Sequence, residues 1–178
     1  MKKYFLILIF LYAMQGIVYS QIDFSSVDKI ITDAISNKIF PAAQLLIADK
    51  NDILYYKNYG TYSYDDSKPV TDSSIFDLAS LTKVIATTSC AMSLYENGKL
   101  DLDDYVIKYI PQFSSYGKDR IKIKNLLYHN SGLIPGIPFY KTCKNKTDVL
   151  NTICDLKPEF PPDEKFIYSD LNMILLQQ

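Results

Sequence analysis

Apolar and polar positions along the chain fall into a short series of patterns. Val27, Ile30, Ile31, Ala34 and Ile35 recur at helical spacing within residues 24–39, and Ser25 or Ser26 stands where a cap belongs. This predicts an amphipathic first helix. Two β-prone runs follow, residues 44–48 and 53–59, separated by the polar tetrad Asp49-Lys50-Asn51-Asp52, and together they predict a β-hairpin. A polar loop over residues 62–74 leads into Ile75-Phe76-Asp77-Leu78-Ala79. From Leu81 onward Val84, Ile85, Ala91, Met92 and Leu94 predict a long helix that stops at Asn97-Gly98. A short element begins at Leu100 and ends near Pro111, residues 123–128 predict a third helical segment, and residues 135–138 and 157–163 read as Pro-rich loops. The last apolar run, Leu171 to Leu176, opens a helix with no stop signal before Gln178, so the sequence is expected to be a piece of something longer.

The N-terminus has a different pattern. Met1-Lys2-Lys3 is a short positive region, Tyr4 to Tyr19 is apolar apart from Gln15 and Gly16, and Val18 and Ser20 occupy the positions a signal peptidase reads. This predicts a signal peptide over residues 1–20, cleaved after Ser20, and an exported chain, periplasmic or secreted, with no stable membrane span. The rival reading is an uncleaved anchor, for which about 16 apolar residues fall short of the ~20 that cross a bilayer. The remaining residues, 21–178, have the composition of one ordinary globular domain, 48% hydrophobic and 22% charged. A net charge of −1 carries no polyanion-binding signature, so nucleic acid is not expected as a partner.

Export makes disulfides possible. Cys143 and Cys154 could pair across a short loop, or the three cysteines could be separate buried thiols; Cys90, in an apolar helical run, is expected in the core. Three cysteines and the single His129 lack metal-ligand spacing, and neither a metal nor a cofactor is expected.

The chemistry concentrates at Ser80-Leu81-Thr82-Lys83, an S-x-x-K at a helix start. Residues three apart share a helix face, which brings the Lys83 amine within reach of the Ser80 hydroxyl. A serine hydroxyl needs an adjacent base to become a nucleophile, and a lysine serves when burial or a neighbouring cation lowers its pKa. The helix N-terminus, with the Ser80 N–H among its free donors, favours negative charge developing on a carbonyl oxygen. Alone, an S-x-x-K also fits a capped helix with a solvated lysine.

Four ordered segments carry a wider likeness. Phe76-Asp77-Leu78-Ala79-Ser80-Leu81-Thr82-Lys83, then residues 94–104, Leu126-Leu127-Tyr128-His129-Asn130-Ser131-Gly132-Leu133 and Phe166-Ile167-Tyr168-Ser169-Asp170-Leu171-Asn172 closely resemble the serine β-lactamase-related family of class C β-lactamases, DD-peptidases and esterases. The resemblance implies an α+β, β-lactamase/transpeptidase-like fold: an antiparallel sheet flanked by helices plus an all-helical region, with the C-terminal half of that fold expected to be missing here. It implies Ser80 as acylated nucleophile, Lys83 as the residue that takes or relays its proton, and Tyr168 as the tyrosine sharing the base role. The substrate would be a small molecule or a peptidoglycan-like peptide; no oligomeric state follows.

Two departures matter. The family has Tyr-x-Asn where this chain has Tyr168-Ser169-Asp170; an ionised Asp170 can accept from Lys83 but cannot donate an N–H to substrate, and its charge should raise the lysine pKa. The family's third motif, a Lys- or His-containing triad ending in Gly, is absent; Lys141-Thr142-Cys143 lacks the glycine and precedes Tyr168. The alternative to an active hydrolase is therefore a non-catalytic remnant or penicillin-binding module, and the isolated chain is expected to be marginal in stability. His129 and Ser131 are implied to be turn residues.

Overall fold

The computed structural model describes residues 22–178, which divide between Phe76 and Asp77 into two compact units. The predicted signal peptide lies outside the described residues. Among the described residues no helix is long and apolar enough to cross a membrane.

The first unit is a helix and a hairpin. Helix α1, Ser25–Ser36, follows the apolar spacing read from the sequence, but its start corrects the expected serine cap. Asp23 supplies the acceptor instead, taking the Ser25 N–H at 2.9 Å and the Ser25 hydroxyl at 3.0 Å, because a carboxylate just before the helix reaches the orphan donors that a serine inside the first turn cannot. Strands β1, Ala42–Ala48, and β2, Ile53–Gly60, pair antiparallel with Ala42 opposite Gly60 and Leu46 opposite Tyr56. Asp49 closes the turn, its Oδ1 accepting from the N–H groups of Asn51 and Asp52. Helix and sheet are joined through Asp28, whose Oδ1 accepts from Tyr55 Oη, Tyr59 Oη and, at 2.8 Å, Lys57 Nζ. Those bonds hold the Asp28 carboxyl down to about 2.

The second unit is helical. The run from Leu81 passes through a π-helical stretch, Lys83–Thr88, into α2, Ser89–Glu96, and ends at Gly98 with φ +64°. A 3₁₀ turn at Val106–Lys108 and two more within Pro111–Arg120, parted by a kink at Ser115, Tyr116 and Gly117, lead to α3, Ile123–Leu127; α4 is Lys146–Asp155 and α5 is Asp170–Leu176. Val106, Phe113, Ile121, Leu126, Leu133, Ile153 and Leu171 are fully buried and form one core. Lys118 is buried as well: its ammonium donates to the carbonyls of Cys154, at 2.8 Å, and Leu156, and so satisfies the open C-terminal end of α4.

The hydrophobic pattern does not predict helix α4, although Asn145, whose Oδ1 accepts from the Asp148 N–H at 2.9 Å, is a legible cap. Cys90 is exposed, contrary to expectation, because its neighbour Ala91 takes the inward position on α2. Cys143 and Cys154 are both free thiols; of the three cysteines only Cys154 is buried, and Cys143 lies against the Thr152 hydroxyl instead of a second sulfur.

Candidate active site

Ser80 is displayed by a strained turn. Asp77 Oδ1 accepts the Ala79 N–H at 2.8 Å, and Ala79 takes φ +43°, a left-handed conformation that costs an L-residue energy. Three successive tight bonds, Leu81 N to Leu78 O, Thr82 N to Ala79 O and Lys83 N to Ser80 O, then wind the chain into the helix. One turn on, Lys83 Nζ donates to Ser80 Oγ at 3.0 Å. The wider winding that follows is held by side chains: the Thr88 hydroxyl donates to the Lys83 carbonyl at 2.9 Å and the Ser89 hydroxyl to the Val84 carbonyl at 3.0 Å. A π-turn at this point re-aims the face that carries Lys83.

The other half of the site comes from the start of α5. Asp170 Oδ1 lies 2.7 Å from Lys83 Nζ, and the Tyr168 ring centroid lies 5.2 Å from the same nitrogen. The structure therefore brings Ser80, Lys83, Tyr168 and Asp170 together. The Lys83 side chain is 16% exposed, while Asp170 is 60% exposed. The hydrogen bond to Asp170 holds Lys83 above the ordinary lysine range, against the opposing pull of burial, with Tyr168 adding in the same direction. In this state Lys83 is an ammonium that can donate to Ser80 Oγ but cannot accept its proton.

Beneath these residues lies a layer of buried polar groups that the sequence pattern did not reveal as a unit. His129 Nδ1 accepts from the Ser169 N–H at 3.1 Å and faces Asn172 Nδ2 at 3.2 Å. The Ser131 hydroxyl donates to Asn172 Oδ1 at 2.6 Å, and the Ser169 hydroxyl donates to the Ile134 carbonyl at 2.6 Å. Ser131, Ser169 and Asn172 are fully buried, and His129 nearly so. The His129 and Tyr168 rings pack at a tilt of 43° with centroids 4.7 Å apart, and the Asp170 N–H donates to the Pro135 carbonyl at 2.8 Å. The legible signal was Asn172, a polar residue inside the apolar run of α5. Gly132 completes the turn at φ +81°, where a Cβ would lie 1.9 Å from the Phe160 carbonyl oxygen.

Lys141-Thr142-Cys143 falls at a short 3₁₀ turn, Phe139–Lys141, and its flank, with no strand character.

Residues 27–178 match the Beta-lactamase family model. A protein named "Putative D-alanyl-D-alanine carboxypeptidase" from Escherichia coli (strain K12) is 37% identical over 157 residues, covering 77% of this chain and 36% of that protein. Its namesake from Salmonella agona (strain SL483) is 33% identical over 166 residues, covering 80% and 38%. Among solved structures, a class C beta-lactamase superposes with TM-score 0.75 at 25% identity, covering 89% of this chain and 44% of that one. A class C beta-lactamase in complex with cefoxitin superposes with TM-score 0.73 at 26% identity, covering 85% and 42%. The chain thus spans less than half the length of the relatives it matches.

Proposed function

This chain belongs to the Beta-lactamase family of serine hydrolases, with its β-lactamase/transpeptidase-like fold, and we propose that it acts by acyl transfer through an acyl-enzyme on Ser80. The observation that carries this reading is the 3.0 Å contact of Lys83 Nζ with Ser80 Oγ at a strained helix start. Ser80 Oγ attacks the substrate carbonyl carbon, the carbonyl's bond to its leaving nitrogen or oxygen breaks, and the Ser80 proton ends on the leaving group; water then releases the acyl group. Lys83 steadies the attacking oxygen. Asp170 holds most of Lys83 as the ammonium, so the Ser80 proton leaves through Tyr168 or through the small neutral fraction of Lys83, and the exposed Asp170 is our candidate substrate contact.

The substrate class we favour is a D-amino-acid peptide of the peptidoglycan type, on the names of the curated relatives, with a β-lactam as the related acyl donor and an ester as the third. The predicted signal peptide supports action in the periplasm or outside the cell.

A second reading, a penicillin-binding module without turnover, is favoured by the Lys83–Asp170 ion pair, which ties up the base. A fluorescent penicillin separates the readings. Stable labelling that Ser80→Ala abolishes, followed by hours without release, is the outcome for the binding module, and labelling with release is the outcome for the hydrolase. No adduct on Ser80 would exclude both.

A further inference from the structure

The buried layer under Tyr168 has the geometry of a positioning device that can be switched by a proton. His129 Nδ1 faces two donors, the Ser169 N–H and Asn172 Nδ2, so the ring's own proton sits on Nε2. Ser169 is the link between Tyr168 and Asp170, and its hydroxyl is tied to the Ile134 carbonyl. The Asn172 amide is fixed in turn by the Ser131 hydroxyl. Resting on the acyl-transfer reading of Ser80, we propose that neutral His129 is a positioning residue for Tyr168 and Asp170, and that protonating it releases Ser169 and disables the site.

The chemistry follows from the donor count. A proton on Nδ1 turns an acceptor into a donor facing the Ser169 N–H. Asn172 could answer by rotating its amide, since the Ser131 hydroxyl can either donate or accept. The backbone N–H of Ser169 has no such freedom. An imidazolium facing it in a buried site must move, and Ser169 carries the Tyr168 and Asp170 backbones with it. The charged groups whose fields reach the ring are Lys83, from the π-helical stretch, and Asp170, from α5, and the Tyr168 ring packs against it. Burial pushes His129 below the ordinary histidine value, Lys83 adds to that, and Asp170 opposes it. Neutral His129 therefore prevails at neutral pH, and the device fails only as pH falls through a midpoint below the ordinary histidine value.

The test uses His129→Asn and His129→Leu in the full chain. Asparagine offers an acceptor oxygen near the Nδ1 position, tolerates the φ of +56° found at His129, and does not titrate. The native chain should lose Ser80 labelling by fluorescent penicillin roughly tenfold per pH unit below the His129 midpoint. His129→Leu should lose labelling at every pH, and His129→Asn should restore it with the acid limb flattened. An acid limb unchanged in His129→Asn overturns the proposal. If the native chain takes no label at any pH, the acyl-transfer reading fails and nitrogen NMR decides the positioning claim separately. His129 is the sole histidine in the sequence, so its imidazole signals are unambiguous. The proposal expects an unprotonated Nδ1 at pH 7 and a titration that moves the Ser169 amide and Tyr168 ring signals in step; an Nδ1–H tautomer, or a titration those signals ignore, refutes it.

Discussion

Replacing Asp170 by asparagine separates two jobs that a side chain at this place can do. Asparagine keeps an oxygen that can accept from Lys83 and adds an N–H that can donate to substrate, while removing one negative charge 2.7 Å from the ammonium. At that separation the attraction between unit charges is about 1.5 kcal/mol in a water-like medium, the limit appropriate to a carboxylate that is 60% exposed. Losing it should raise the share of neutral lysine at a fixed pH by roughly tenfold. A less basic lysine is a weaker base, so acylation at pH 8 should rise by about two- to fivefold instead of the full factor. The sign for stability follows from the same pair. Because the folded-state lysine pKa is raised, the pair stabilises the fold below the ordinary lysine value, and that contribution is lost as pH rises through the folded value. The assay is the rate of Ser80 labelling by a fluorescent penicillin from pH 6 to 11, with thermal melts across the same range. The expected result is an alkaline limb displaced to lower pH in Asp170→Asn, and a melting temperature that no longer falls as steeply at high pH. Superimposable profiles would refute the charge argument, and a uniform loss of labelling with an unmoved profile would make Asp170 a substrate contact alone.

Three further outcomes are expected. Ala79→Gly should stabilise the chain by about 0.5–1 kcal/mol, since the left-handed cost of ~1–2 kcal/mol at φ +43° exceeds the extra entropy of glycine, yet labelling should slow as Ser80 is held less firmly; thermal melts and labelling rates read the two effects. Gly132→Ala should cost at least about 2 kcal/mol in a denaturant titration, because its Cβ would meet the Phe160 carbonyl oxygen at 1.9 Å and the φ of +81° disfavours any side chain. Asp28, held down to about 2 by Lys57, Tyr55 and Tyr59, stabilises the first unit above the ordinary carboxylate value, and that stabilisation is lost as pH falls through about 2; tyrosine absorbance during acid titration should show this transition, absent in Asp28→Asn.

How much of this was legible in the sequence depends on what kind of force sets each feature. The hairpin and the helix ending at Gly98 follow from periodicity and turn chemistry, which act over a few residues, and strands Ala42–Ala48 and Ile53–Gly60 lie within two residues of where the pattern put them. The proximity of Ser80 and Lys83 is likewise local, one helical turn. Helix α4 has no hydrophobic signature in the sequence because its inward face presents only Ile153 and Cys154 as buried residues, too few to make a stripe, while its cap and the Lys118 ammonium at its far end do the stabilising. Cys90 is exposed against expectation for a related reason: in a helix that is apolar on most sides, composition alone does not choose the buried face, and here Ala91 takes it.

The polar layer under Tyr168 lies furthest from sequence reasoning, because its bonds join residues about 40 positions apart, such as His129 with Ser169 and Ser131 with Asn172. A motif reading finds His129 and Ser131 in one segment and Tyr168 to Asn172 in another, and treats each as a local string. Their union has a physical cost that explains why both strings are polar. Four polar residues are withdrawn from water, which is tolerable only if each finds a partner, so the turn after α3 and the start of α5 must be built as one object. The strained backbone agrees: Ala79 beside the nucleophile and His129 beneath Tyr168 are both non-glycine residues at positive φ, at φ +43° and +56°, held there by packing that over-determines them. Strain on both sides of the Ser80–Lys83–Asp170 contact makes the spacing of those three groups a property of the surrounding fold, and this is why a change at His129, which touches neither Ser80 nor Lys83 by hydrogen bond, is expected to alter the chemistry at Ser80.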